Sequence, residues 1–313
     1  MRCLYCYQPL LEEYRDFHPS CSKKLFGQSE PPVLDYSISQ MLELAREVIQ
    51  NQWSVTGVQA KLSLGGEYKS KQVGYRKLTI TGVLGRYILK PPSEFYPNLP
   101  ELEDLTMHLA EIAGIVTVPH TLIRLQSGEL SYLTKRIDRQ KRQKIHMEDM
   151  CQITERLTEF KYRGSYEQIG KAIVRHAANP GLDLINFLEV LIFSFLTGNN
   201  DMHLKNFSLI KHPEKGYGLS PAYDLVSSEL VVEGDDEEMA LTLNGKKNRL
   251  SRHDFETFAY RFGIEERAFE NLLLRFKGAL PQWEECVAIS FLPEQMKSKY
   301  IEMLNRKAGQ LQF

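Results

Sequence analysis

The sequence has no surplus of charge of either sign. It contains 39 Lys and Arg residues against 40 Asp and Glu residues, which gives a formal net charge of -1 over 313 residues. Phosphate binding depends on an excess of Lys and Arg, so this balance excludes a protein that coats nucleic acid by itself. It leaves room only for a small basic patch.

Long hydrophobic runs are also missing. No apolar stretch approaches the roughly 18 residues that a membrane-spanning helix needs. The most hydrophobic segment, 184–196, is interrupted by Asn186, Glu189 and Ser194. The first residues lack the apolar core of a signal peptide. These absences predict a cytoplasmic protein with no membrane partner.

Cysteine is scarce, and its number is odd. Five cysteines do not make a disulfide scaffold, but three of them lie in the first 21 residues. The pairs Cys3-x-x-Cys6 and His18-x-x-Cys21 could complete a tetrahedral Zn²⁺ site. Reduced cysteines that pack as small hydrophobic side chains, with His18 at the surface, are the alternative.

The composition is that of an ordinary globular protein, with 42% hydrophobic and 25% charged residues. Strand patterns dominate up to about residue 137 and helical patterns follow, with one inserted hairpin. We therefore predict an α+β fold in two lobes. The expected divisions are a cysteine-bearing head (1–30), a β-rich N-lobe (31–137) and a helical C-lobe (138–313).

Local patterns place the main elements. Residues 60–64 and 85–90 are predicted strands, and Gly65 with Gly66 is a predicted turn. An amphipathic helix is expected over 100–113, and a β-hairpin over 207–224.

The strongest chemical signal lies at the end of the most hydrophobic predicted helix. Residues 198–207 read GNNDMHLKNF and carry a carboxylate, an imidazole, an ammonium and an amide between Asp201 and Asn206. Protein-kinase catalytic loops have the same spacing from Asp to Asn: the carboxylate takes the proton of the acceptor hydroxyl, and the amide oxygen binds Mg²⁺. An N-capping Asp and a turn Asn would produce this spacing too.

Three further residues fit this chemistry by their order. Asp224 follows the predicted hairpin, where kinases place a metal-bridging carboxylate, although its neighbours are Tyr and Leu rather than Phe and Gly. Lys90 ends a predicted strand and could bind nucleotide phosphates, and Glu103 on the next helix could pair with it. A single Lys on a strand or a single Glu on a helix, taken by itself, is usually a surface charge.

A small hydroxyl-rich loop precedes the Lys90 strand. Residues 53–61 read WSVTGVQAK, and such a loop can surround phosphates with backbone N–H groups. It is neither a Walker loop nor the Gly-x-Gly-x-x-Gly loop of kinases. Its hydroxyls could instead only hydrogen-bond within the turn.

These segments together resemble the HipA-like serine/threonine kinases, the toxins of bacterial toxin–antitoxin modules. The resemblance runs from about Trp53 to the C-terminus and implies a two-lobed, protein-kinase-like fold. Six segments carry it in family order: SVTGVQAK (54–61), ILK (88–90), KRIDR (135–139), EDMCQ (148–152), GNNDMHLKNFS (198–208) and PAYD (221–224).

The resemblance implies a role for each matching residue. Asp201 would be the catalytic base, Asn206 and Asp224 would bind Mg²⁺, and Lys90 would bind the ATP phosphates with Glu103 as its partner. The remaining nucleotide-binding residues that it implies are Ser54, Thr56, Gly57, Val58, Gln59, Ala60 and Lys61 in the loop, the backbone of Lys135, Arg136 and Ile137 at the adenine hinge, and His203 and Tyr223 at the border of the site.

In the longer HipA proteins an additional N-terminal subdomain precedes the loop, whereas here only the short cysteine-bearing head precedes it. We therefore expect the abbreviated form, which resembles the HipT branch. There a separate small protein, HipS, corresponds to the missing subdomain, and HipB is the DNA-binding antitoxin, so contact with DNA would be indirect. The resemblance implies that the kinase phosphorylates an aminoacyl-tRNA synthetase, the tryptophanyl rather than the glutamyl enzyme. It also implies autophosphorylation at Ser54 or Thr56.

Two other functions stay open at this point. A small-molecule kinase could share the same lobes, because the segment between Asn206 and Asp224 does not distinguish them. A catalytically inactive partner that bridges a DNA-bound antitoxin is the other alternative. The presence of Asp201, Asn206, Asp224 and Lys90 argues against inactivity.

Overall fold

A computed structural model describes residues 1–51, 60–68, 75–81, 85–140, 143–232, 234 and 236–313. These residues form two compact units. Unit 1 comprises 1–104, 118–137 and 289–291, and unit 2 comprises 105–117, 138–288 and 292–313. An antiparallel sheet dominates unit 1 and helices dominate unit 2, which confirms the α+β class.

The centre of unit 1 is a five-stranded antiparallel sheet with the order β2-β1-β3-β5-β4. Apolar residues recur at every second position of β1 and β3, as in a sheet with one buried face, and the buried side chains include Leu62, Leu64, Tyr87 and Leu89. The strands are β1 (Leu62–Tyr68), β2 (Tyr75–Ile80), β3 (Tyr87–Lys90), β4 (His120–Arg124) and β5 (Leu130–Lys135).

The predicted turn at Gly65 and Gly66 is wrong, because both glycines lie inside β1 and pair with β2. The reason for glycine is a close approach rather than a turn. A Cβ atom on Gly65 would lie only 2.8 Å from Cγ2 of Thr81. A glycine in a strand interior often marks such an approach.

The N-terminal residues pack on the sheet of unit 1. The helix α1 (Pro19–Phe26) begins after His18 and ends at Gly27, whose φ of 77° is in the left-handed region that favours glycine. Cys3, Leu4, Leu25 and Phe26 belong to the same hydrophobic core as the strand residues. Two helices complete this part: α2 (Ile38–Asn51) and α3 (Leu99–Ile112), which begins in unit 1 and ends in unit 2.

Unit 2 is built around the buried helix α6 (Pro180–Leu196). Most of its residues are apolar and buried, which explains its nearly continuous hydrophobic sequence. Around it lie α4 (Met150–Ile153), α5 (Tyr166–His176), α7 (Arg252–Arg261), α8 (Glu266–Ile289) and α9 (Glu294–Gln310). Among the described residues, none of the helices has the length and hydrophobicity that a bilayer-spanning segment requires.

Short strands of unit 2 hold the loop that follows α6. The predicted hairpin is present as β9 (Ser208–His212) and β10 (Gly216–Leu219), and β8 (Met147–Asp149) pairs with β9 in a three-stranded sheet. Two further short strands, β6 (Arg139–Gln140) and β7 (Gln143–Lys144), pair with each other. The loop 197–207 is thus fixed at both ends, by a buried helix and by a strand.

Candidate active site

Lys90 and Glu103 form a buried ion pair in unit 1. Their side chains are 4% and 1% exposed, and Nζ of Lys90 lies 2.5 Å from Oε1 of Glu103. Lys90 ends β3, opposite Tyr132 of β5, whose ring centroid lies 5.5 Å from the ammonium. Burying two charges is costly unless they are paired. The structure places side by side the two residues that the sequence suggests as partners.

The predicted hinge segment continues β5. The N–H of Lys135 donates to the carbonyl of Pro119 at 2.8 Å, and the N–H of Arg136 donates to the carbonyl of Arg86 at 2.8 Å. Both amides are therefore engaged within unit 1. The role of this segment as the adenine hinge stays a prediction.

Only the end of the predicted phosphate loop belongs to the described residues. Ala60 is buried, and Lys61 is exposed immediately before β1. Ser54, Thr56, Gly57, Val58 and Gln59 lie outside the described residues.

Asp201 and Asn206 lie on one loop of unit 2 and are linked through its backbone. The side-chain amide Nδ2 of Asn206 donates to the carbonyl of Asp201 at 3.1 Å. A short 3₁₀ turn, Leu204–Asn206, forms the part of the loop that ends at Asn206. This hydrogen bond fixes the orientation of the amide, whose oxygen Oδ1 is the atom that can ligate a cation.

Tyr162 contacts the predicted base and was not found from the sequence. Its hydroxyl donates to Oδ1 of Asp201 at 2.6 Å, and its ring meets the His203 ring edge to face at 5.1 Å. Burial and the nearby charges of Asp201 and Asp224 raise the pKa of Tyr162, so its hydroxyl stays protonated and donates. A tyrosine 39 residues before Asp201 carries no sequence signal for this contact.

A second layer holds the loop in place. Lys205 forms a 2.7 Å ion pair with Asp149, which also accepts from the N–H of Gln152 at 3.0 Å and so caps α4. The hydroxyl of Tyr223 donates to the carbonyl of Lys205 at 3.0 Å and lies 2.6 Å from Oγ of Ser208. Tyr223 and the EDMCQ segment therefore support the loop.

Asp224 has a left-handed backbone conformation. Its φ is 60°, in the left-handed region, which Asp tolerates better than most residues other than Gly. The preceding segment is fixed by the N–H of Ala222, which donates to the carbonyl of Val116 at 2.8 Å. Such strain costs about 1–3 kcal/mol and is concentrated at functional sites.

The donors of unit 2 suit Mg²⁺. Carboxylate oxygens from Asp224 and the amide oxygen of Asn206 are hard ligands of the kind that Mg²⁺ prefers in nucleotide sites. Asp201 is half-buried on the loop that also carries Asn206, and one of its oxygens accepts the hydrogen bond from Tyr162. A carboxylate in that position can accept a proton from a hydroxyl.

The four residues of the N-terminal head also come together. One potential ligand atom from each of Cys3, Cys6, His18 and Cys21 lies within 4.8 Å of every other. Burial, reinforced by the neighbouring sulfur groups of Cys3 and Cys6, raises the pKa of Cys21 to about 12. Burial also raises the pKa of Cys6.

Residues 53–283 match the family model of the HipA-like C-terminal domain, so the chain belongs to the HipA-like family. Y4dM of Sinorhizobium fredii, named as a candidate kinase, is 32% identical over 229 residues, or 69% of this chain and 55% of Y4dM. The serine/threonine-protein kinase toxin HipA of Shewanella oneidensis is 26% identical over 252 residues, or 73% of this chain and 56% of HipA. The chain thus spans about half the length of these relatives.

Solved structures show the same fold. HipA of Shewanella oneidensis, solved with HipB and operator DNA, matches with a TM-score of 0.67 and 21% identity, over 86% of this chain and 71% of that chain. The Helicobacter pylori kinase CtkA matches with a TM-score of 0.52 and 15% identity, over 72% and 87%. The resemblance to HipA-like proteins is confirmed for family and fold.

Proposed function

We propose that the protein is an ATP-dependent serine/threonine protein kinase and the toxin of a bacterial toxin–antitoxin module. The observation that carries the proposal is the loop of unit 2, in which Asp201 and Asn206 keep the kinase spacing and are joined by a hydrogen bond. Membership of the HipA-like family and the buried Lys90–Glu103 pair support it.

In the proposed reaction, the carboxylate of Asp201 takes the proton of the acceptor hydroxyl as its oxygen bonds to the γ-phosphorus of ATP. The bond from the γ-phosphorus to the bridging oxygen breaks, and ADP leaves with the electron pair. Tyr162 holds Oδ1 and so fixes the carboxylate. Asn206 and Asp224 would hold Mg²⁺, which neutralises charge on the phosphates when bound. Lys90, oriented by Glu103, would bind the ATP phosphates. Catalysis rests on positioning and electrostatics.

Transfer from radiolabelled ATP tests the activity. We expect the purified chain to label a protein acceptor and Asp201→Asn to abolish the label. Asp236→Asn, at an exposed acidic residue of the same unit, is the matched control and should label normally. If Asp201→Asn labels as well as the wild type, the role of Asp201 is wrong.

We further propose an aminoacyl-tRNA synthetase as the substrate, the tryptophanyl rather than the glutamyl enzyme, as the HipT branch implies. Purified synthetases are offered separately in the same assay. Label in the tryptophanyl enzyme alone supports the HipT assignment, and label in the glutamyl enzyme alone supports the longer HipA type. Label only in a small molecule would replace the protein-kinase proposal with the small-molecule alternative.

Autophosphorylation of Ser54 or Thr56 is proposed as the regulation of this kinase. A phosphate adds nearly two negative charges, which would repel the phosphates of ATP. Mass spectrometry of the peptide that contains both residues should show the modification in wild-type protein and not in Asp201→Asn. An unmodified peptide in active protein contradicts the proposal.

The proposed partners are a HipB-like antitoxin and a HipS-like small protein, with DNA reached only through the antitoxin. The support is the HipA structure solved with HipB and operator DNA and the net charge of -1. In a gel-shift assay, the chain alone should leave operator DNA unshifted, and it should supershift the antitoxin–DNA complex. A shift by the chain alone contradicts indirect binding.

A further inference from the structure

The N-terminal head carries a cluster that the kinase chemistry does not use. Cys3 and Cys6 lie on a tight turn in which the carbonyl of Cys3 accepts from the N–H of Tyr7 at 2.9 Å. His18 directly precedes α1, and Cys21 lies in its first turn, so the two side chains, three residues apart, share one face. We propose that Cys3, Cys6, His18 and Cys21 bind one structural Zn²⁺ ion.

The distances match those of a tetrahedral site. With Zn–S near 2.3 Å and Zn–N near 2.1 Å, neighbouring S and N ligands are about 3.6 Å apart. Nδ1 of His18 lies 3.5 Å from Sγ of Cys6 and 3.8 Å from Sγ of Cys21. All four ligand atoms lie within 4.8 Å of one another, which suits a single ion. A two-iron cluster would distribute its ligands over two metal atoms and so separate them further.

The histidine is oriented as a ligand. Nε2 of His18 lies 3.0 Å from the carbonyl of Pro9, which can only accept, so Nε2 carries the proton of this hydrogen bond. With Nε2 engaged in this way, Nδ1 is the ring nitrogen that faces the sulfur atoms of Cys6 and Cys21. Metal-binding histidines are commonly held by such a second hydrogen bond.

Simple packing explains the cluster less well. Cys3 and Cys21 are 0% and 6% exposed, as small hydrophobic side chains would be, but Cys6 and His18 are only half-buried and still point to the same spot. A single Nδ1 lone pair cannot accept good hydrogen bonds from two thiols at once. One cation satisfies all four groups and remains reachable from the half-buried side.

The ion would connect the head to the elements that carry the ATP lysine. Leu4, next to Cys3, accepts from Oγ1 of Thr121 at 3.0 Å and from the N–H of Leu122 at 3.3 Å, both on β4. Tyr7, next to Cys6, donates to Oδ2 of Asp104 at 2.7 Å. Asp104 follows Glu103 on α3, the partner of Lys90. The zinc site thus stabilises the segment that positions Lys90.

Metal analysis of the full-length chain, purified without chelators, tests the site. We expect about one zinc per chain by inductively coupled plasma mass spectrometry, as for a closed four-ligand site. Cys6→Ser and Cys21→Ser should each lose most of it, and Cys286→Ser, at a half-buried cysteine of α8, should keep it. No ATP is involved, so the result is independent of the kinase proposal.

Cobalt provides a second readout that does not need a variant to fold. Full-length protein reloaded with Co²⁺ should show the visible bands of a tetrahedral site and sulfur-to-cobalt charge transfer. The proposal would be overturned if the wild-type protein contained no zinc, or iron with inorganic sulfide instead. A disulfide between two of the three cysteines, or zinc that both variants retain, would overturn it as well.

Hydrogen exchange tests the connection to Lys90. Removing the metal with a chelator should increase exchange in peptides that contain Leu122 and residues 99–104. A peptide from the buried helix α6 of unit 2 serves as the control and should not change. Equal exchange with and without metal in both unit 1 peptides would show that the ion does not support this segment.

Discussion

At the scale of single residues, the buried ion pair of Lys90 and Glu103 is the contact on which the stability of unit 1 depends most directly. Both side chains are almost fully removed from water, and their separation is 2.5 Å. Removing one partner takes away an opposite charge that offsets the cost of burying the other, which costs far more than losing an exposed pair. The same contact is therefore important for stability and for the proposed nucleotide binding.

We predict that Lys90→Met lowers the free energy of unfolding by about 3–5 kcal/mol, because Glu103 stays buried without this cation. Lys77→Met is the matched control, since Lys77 forms a 3.1 Å pair with Asp35 whose side chains are 35% and 46% exposed. That loss should be about 1 kcal/mol or less. Urea denaturation measures both, and equal losses would contradict the prediction.

Tyr162 is the second residue whose role depends on one contact. Tyr162→Phe removes the hydrogen bond to Asp201, so the carboxylate is less well oriented. We expect kcat to fall about tenfold with little change in KM for ATP, because only proton transfer depends on this orientation. Tyr260→Phe, at an 87% exposed tyrosine, is the control. A rise in kcat would show that the contact is inhibitory.

At the scale of elements, helix α7 begins at a buried carboxylate. Asp254 accepts from the N–H and the hydroxyl of Ser251, both at 3.0 Å, and from Lys246 at 2.8 Å and Asn244 at 3.2 Å. Burial acts to raise the pKa of Asp254, but these hydrogen bonds outweigh burial and the pKa is lowered. The carboxylate therefore stabilises the folded state in its charged form.

We predict that Asp254→Asn costs about 2 kcal/mol of stability near neutral pH, as expected for hydrogen bonds to a charged group. Because the folded pKa lies below the unfolded one, this contribution is complete above the unfolded pKa and is lost as the pH falls through the folded pKa. Stability against urea as a function of pH should thus converge for variant and wild type in acid. Glu256→Gln, at an exposed site of α7, should show no such difference.

At the scale of the whole molecule, the head is part of the core of unit 1. Leu4, Phe17, Leu25 and Phe26 belong to the same hydrophobic cluster as Leu89 and other strand residues. Four large apolar side chains contribute about 6–12 kcal/mol by burial. That is comparable to the whole stability of a typical domain.

Deleting residues 1–30 should therefore leave unit 1 unable to fold cooperatively. We expect aggregation on gel filtration and loss of near-ultraviolet circular dichroism signal. Deleting only 312 and 313, at the other end of the chain, is the control and should leave both measurements unchanged. A monomeric, folded product without residues 1–30 would instead show that the head is an independent division, as the sequence-based boundary at residue 30 assumes.

Local patterns in the sequence are sufficient to predict many of the helices and strands. The predicted helix over 100–113 corresponds to α3, and the predicted hairpin corresponds to β9 and β10. Their periodicity and turn residues act over a few neighbours, so they can be recognised without a structure. Gly65 was misassigned because its role depends on Thr81, a residue from another segment of the chain.

For the candidate site, the kinds of chemical group and their order follow from the sequence alone, because Lys90, Asp201, Asn206 and Asp224 have fixed spacings along the chain. Which groups contact these residues and the loop that carries them depends on the tertiary fold. The contact of Tyr162 with Asp201 and the pairing of Asp149 with Lys205 join residues 39 and 56 positions apart. Such pairs depend on how helices and strands pack, and local spacing carries no information about that packing.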